Sequence, residues 1–144
     1  MKTLRTSLGI AVFTALAAMS ASANAEIINL SAELSGQNEV PPNDTSATGV
    51  AEATFDTDNN MVTWNIVFEG LTGPVVGMHL HGPAEPSANA GIAVAIEGPL
   101  SSPVEGGTTL NDDQAKALLD GALYVNIHTA AHPGGELRGH LVQE

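Results

Sequence analysis

Residues 77–83 read GMHLHGP, so His79 and His81 stand one residue apart in a chain with only five histidines. The other three, His128, His132 and His140, follow in YVNIHTAAHPGGELRGHL. Imidazole binds transition metals through a ring nitrogen. On a strand, residues i and i+2 share a face, their backbones roughly 6.6 Å apart. Side chains of that length can converge on one ion about 2.0–2.1 Å from each nitrogen. A third imidazole from a neighbouring strand, about 4.8 Å away, would complete the site. The candidate metal ligands are therefore His79, His81 and His128, with His132 or His140 as a fourth or alternative ligand. The competing reading makes all five solvated residues on a polar sheet face.

No cysteine occurs, which excludes disulfides and thiolate ligation. All-imidazole ligation suits Zn(II), Cu(II) or Ni(II) rather than magnesium or calcium, and copper, the strongest binder in the affinity series, is favoured with zinc next. Asn126, on the same strand face as His128, could support that ring from behind. Glu136 and Arg138 share a face and could brace a histidine, orient an anion or pair with one another. In DTDNN, Asp56, Asp58 and Asn60 have the spacing of the first calcium-loop ligands, but Met61 replaces the expected glycine. That stretch reads as a hairpin turn. No H-E-x-x-H, G-x-S-x-G or cysteine nucleophile is present, so no catalytic residue is assigned and a non-enzymatic role is favoured.

Period-two alternation supplies the elements that must position these side chains. Ile28, Leu30, Ala32 and Leu34 fall on one face of the first strand. Ala51, Ala53 and Phe55 oppose Glu52 and Thr54, and Val62, Trp64, Ile66 and Phe68 answer them across DTDNN as a hairpin. A further strand carries Ile92, Val94 and Ile96 on its apolar face. Met78 and Leu80, then Leu123, Val125 and Ile127, then Leu137 and Leu141, form the apolar faces of the histidine strands. His79, His81, Tyr124, Asn126, His128, Arg138 and His140 consequently fall on the opposite, outward face. One short helix is expected over about 111–120, with Asn111 as N-cap, Gln114 closing a capping box and Gly121 as the stop. The fold class is all-β, an antiparallel β-sandwich or partly open β-barrel with that one helix.

The first 25 residues have the parts of a cleaved export signal: Lys2 and Arg5, an apolar run from Leu8 to Met19, and Ala23-Asn24-Ala25. The apolar run falls short of the roughly 20 residues that span a bilayer. A single domain over 26–144, periplasmic or secreted, is expected. Removal of the signal leaves Lys116 and Arg138 against sixteen acids, a formal charge of −14. Such a chain repels nucleic acid and anionic lipid and favours cations, metal ions and basic proteins.

LSGQNEVPP, HLHGP and LYVNIHTAAHPGGELRGHL, in that order, closely resemble the CHRD (chordin) domain family over about Ile27 to Val142. The resemblance implies a β-rich domain, alone in bacterial exported proteins and repeated in the animal chordins, which bind growth-factor ligands outside the cell. His79 and His81 match the family's histidine pair, His128 its VNxHT segment, and Glu136, Arg138 and Gly139 its GExRG segment. His132 occupies a position often filled by histidine or asparagine, whereas His140 replaces an expected glutamine. Three roles stand open: metal buffering or delivery, a metal-free extracellular protein–protein interaction module, and a copper metalloenzyme of the superoxide dismutase type.

Overall fold

The computed structural model describes residues 25–144, so the export-signal reading of residues 1–25 lies, Ala25 apart, outside the described residues. Nine strands and one α-helix follow in order: β1 (Ile27–Ser35), β2 (Thr48–Asp56), β3 (Met61–Glu69), β4 (Val75–His81), β5 (Ile92–Ala95), β6 (Val104–Thr109), α1 (Asp112–Leu119), β7 (Tyr124–Thr129), β8 (Leu137–His140) and β9 (Val142–Gln143). All strand pairings are antiparallel, in the order β5-β4-β7-β8-β1-β2-β3-β6, with β9 also on β1. The sheet curls into a half-barrel. Of the two expected architectures, this is the partly open barrel.

The apolar faces close the core as the alternation requires. Leu30, Leu34, Phe55, Val62, Ile66, Leu80, Val125 and Ile127 are all buried on it. In the β2–β3 hairpin Asp56 pairs with Met61, and the Asp56 carboxylate accepts from the Asp58 backbone N–H at 2.9 Å. Those acids fold a turn. Asn60 takes the left-handed conformation, φ 55°, that asparagine tolerates. The helix begins with the expected capping box between Asn111 and Gln114, and it buries Ala115 and Leu118 against the core.

Two departures have local causes. Strand β6 has no readable alternation because Gly106-Gly107 interrupts it. Gly106 leaves room for the indole beside it: a Cβ there would crowd Trp64 Nε1 at 3.0 Å. Ile92, expected in the core, is exposed. The register of β4 and β5 shifts between Leu80 and His81, so Ile92 pairs with His81 and turns away from the core.

The other face of β4, β7 and β8 carries the polar side chains in registered rows. His79 pairs with Asn126 and Asn126 with Arg138. His81 pairs with Tyr124 and Tyr124 with His140. The sequence alone led us to expect this face open to water, and it is instead covered. Tyr124, Asn126 and Arg138 are buried, because the segments 36–43 and 82–91 bond to it and to each other. The buried Glu136 carboxylate is enclosed instead by Thr45, Thr72 and Thr129.

Candidate metal centre

His79 and His81 of β4 and His128 of β7 come together: one ring nitrogen from each lies within 4.8 Å of the other two. All three rings are half-buried. His81 Nδ1 lies 2.9 Å from the Ala90 carbonyl oxygen, and His128 Nδ1 lies 3.0 Å from that of Pro133. A carbonyl can only accept, so each Nδ1 carries a proton, and in the neutral ring each Nε2 keeps its lone pair. These two Nε2 atoms face one another at 3.3 Å. Two lone pairs at that distance repel unless a cation lies between them. Two imidazoles of a tetrahedral ion, each about 2.0–2.1 Å from the metal, stand about 3.3 Å apart. The donor set fits such an ion.

His79 is held differently. Its Nδ1 is buried without a hydrogen-bond partner, so no carbonyl fixes its tautomer and either nitrogen can be the ligand. Burial holds its pKa below the ordinary histidine value, the nearby His81 adds to this, and Glu97 opposes it. Burial likewise lowers His128, against the opposing bond to Pro133. Both effects keep the rings neutral, the form that binds metal.

The remaining candidate residues lie outside this group. His132 is not brought to it; its backbone closes the 129–132 turn on Thr129. His140 directs Nε2 to the Ala84 carbonyl at 3.1 Å and rests against Tyr124, ring centroids 5.0 Å apart. Asn126 does not reach His128 and donates instead to Glu39 Oε1 at 2.8 Å. Glu136 and Arg138 form no ion pair; among the described residues the one salt bridge is Lys116–Asp120. The Glu136 carboxylate accepts from the Thr45 and Thr129 hydroxyls, each at 2.7 Å, and from the Thr72 N–H at 2.9 Å. Burial alone would raise its pKa, but these bonds outweigh it and the net shift is downward.

Arg138 is fully buried, yet its guanidinium meets neutral partners. It donates to the Ala88 carbonyl at 2.7 Å, the Pro86 carbonyl at 3.3 Å and Asn89 Oδ1 at 3.0 Å. It also lies 3.7 Å from the centre of the Tyr124 ring, a cation–π contact. Tyr124 in turn stacks on His81, with centroids 5.3 Å apart and planes 11° from parallel. Its hydroxyl accepts from the Ala90 N–H at 3.1 Å, and the Ala90 carbonyl fixes His81. Arg138 therefore grips the segment that sets the His81 tautomer, acting one step behind the ring.

Three contributors escaped the sequence reading. Gly77 forms the floor beneath the rings: a Cβ there would lie 3.2 Å from His79 Cε1 and 3.9 Å from His128 Cδ2. The signal was present as G-x-H-x-H on one strand face. Glu39, 6% exposed, is pushed up to about 7 by burial, against the Asn126 bond and the Arg138 charge. Ala90 acts only through its backbone, which no side-chain pattern can reveal.

No curated protein and no solved structure matches the chain. The model of the CHRD domain matches residues 30–141. That span contains all five histidines, and the chain belongs to the CHRD domain family.

Proposed function

We propose that this protein is an exported metal-binding protein that holds one transition-metal ion through His79, His81 and His128, for metal buffering or delivery. The observation that carries the reading is the pair of Nε2 atoms facing one another at 3.3 Å, each on a ring whose Nδ1 is held by a backbone carbonyl behind it. Hydrogen-bonded backing of this kind is how proteins orient imidazole toward a metal. Copper is favoured over zinc by its affinity for imidazole sites. His132 and His140 are not needed for this ligand set. When bound, the ion would supply a positive centre between the rings; the chain's own contribution is to hold two tautomers fixed and a third ring neutral.

Replacement of His79 and His81 together by alanine tests the proposal. Tight binding of Cu(II) and Zn(II) should disappear, a loss of at least a hundredfold, while circular dichroism keeps its β-sheet form. Unchanged affinity in that variant would reject the site and favour the metal-free interaction module.

A further inference from the structure

A second cleft, of about 650 Å³, opens between the segment carrying Gln37 to Pro42 and the segment carrying Pro86 and Ser87, with Glu33 and His140 also in its lining. This is the size of small-molecule sites. Beyond the Ser87 hydroxyl, the side chains of its walls have few uncommitted hydrogen-bond donors. Pro42 and Pro86 have no N–H. The Gln37 amide nitrogen is committed to the Asn43 carbonyl, and that of Asn38 to the carbonyls of Glu33 and Arg138. The N–H of His140 is committed to Ala84, which leaves the second ring nitrogen as an acceptor. Burial lowers the pKa of that ring, which favours this neutral form.

Acceptors are correspondingly in surplus. The amide oxygens of Gln37 and Asn38 have no described partner, and Glu33 is an exposed carboxylate. Glu39 is 6% exposed and accepts a single side-chain bond, on Oε1 from Asn126, so Oε2 is without a partner among the described residues. Burying a carboxyl with one hydrogen bond costs stability. A titratable group with a raised pKa, about 7 here, in a cleft is a recurrent mark of a binding site.

We infer that this cleft binds a small alkylammonium ligand, whose N–H donors meet the free oxygens of Glu39, Glu33, Gln37 and Asn38 while Val40, Pro42 and Pro86 receive its alkyl part. Glu39 releases its proton as the ligand binds, the ammonium supplies donors and positive charge to the ionised carboxylate, and the chain's net charge of −12 attracts it. The site shares no side chain with the three-histidine group.

The test is a titration of ¹⁵N-labelled, tag-free protein in chelator, using 1,4-diaminobutane as the probe. The neutral isostere 1,4-butanediol and sodium chloride at matched ionic strength serve as controls. Nα-acetyl-lysine amide forms a further arm, and the tighter of the two amines identifies a free amine or a peptide-borne one as the source. The expected result is saturable amide shifts at Asn38, Glu39 and Ser87 with the amines alone. Glu39→Gln, which can still accept from Asn126, should weaken binding at least tenfold. Glu33→Gln, at an exposed position, should weaken it several-fold without any demand on folding. Equal shifts with salt or diol, or undiminished affinity in both variants, would overturn the inference.

Discussion

His81 and His128 present their Nε2 atoms to each other at 3.3 Å, while backbone carbonyls of Ala90 and Pro133 hold both Nδ1 protons on the far sides of the rings. The arrangement is unfavourable for two neutral imidazoles alone and favourable for two imidazoles that share a cation. Each ring is oriented by a segment outside its own strand, so the geometry depends on the loops as much as on β4 and β7.

Gly77→Ala tests the floor of the site. The added Cβ would meet His79 Cε1 at 3.2 Å, close enough to shift the ring by a few tenths of an ångström. Metal affinity should fall about tenfold, equivalent to about 1.4 kcal/mol, with little change in melting temperature. Calorimetric titration beside thermal unfolding separates the two effects. Wild-type affinity would show that the His79 ring position does not matter.

Arg138→Met removes the donors that hold the 85–89 segment. It leaves the Pro86 and Ala88 carbonyls and the Asn89 side chain without that partner, and the expected loss of stability is about 3 kcal/mol or more. The more discriminating readout is the His81 tautomer in metal-free protein, followed by long-range ¹⁵N–¹H correlation. Wild type should show Nδ1–H alone, and Arg138→Lys, which keeps the charge but not the fork of donors, a mixture. A purely structural role would lower stability and leave the tautomer fixed.

Glu39 gives stability a definite pH dependence. The folded state keeps the proton to about pH 7, whereas the unfolded chain releases it near 4.5. Between those values the folded chain binds more protons, so this group's contribution falls as pH rises. Its full size is on the order of 3 kcal/mol, lost across that window. Denaturant unfolding of wild type and Glu39→Gln from pH 4.5 to 7.5 should show wild type losing stability relative to the variant as pH rises, then levelling above pH 7. A constant difference would mean that Glu39 titrates normally.

Much of this architecture was legible in residue order. Alternation placed His79, His81 and His128 on the face opposite Met78, Leu80 and Ile127, and the Asn111–Gln114 box marked the helix start. What was not legible follows from how strands and loops meet. Strand neighbours are set by long-range pairing, so the adjacency of β4 and β7 had no local signature. Arg138 and Tyr124 read as solvent-facing because alternation distinguishes two faces of a strand but not whether a loop covers the second. The one-residue bulge that turns Ile92 outward leaves the apolar period of its strand intact in sequence. His140, set apart in sequence only by replacing an expected glutamine, gave no sign there that the Ala84 carbonyl would be its partner.

The most direct measurement is a competition titration of tag-free protein with Cu(II) and with Zn(II) against a chelator of known affinity. The expected result is one ion per chain that survives the chelator, with Cu(II) held more tightly and perturbed nitrogen signals confined to His79, His81 and His128. Binding no tighter than scattered surface imidazoles, or perturbation spread equally over His132 and His140, would contradict the three-histidine centre.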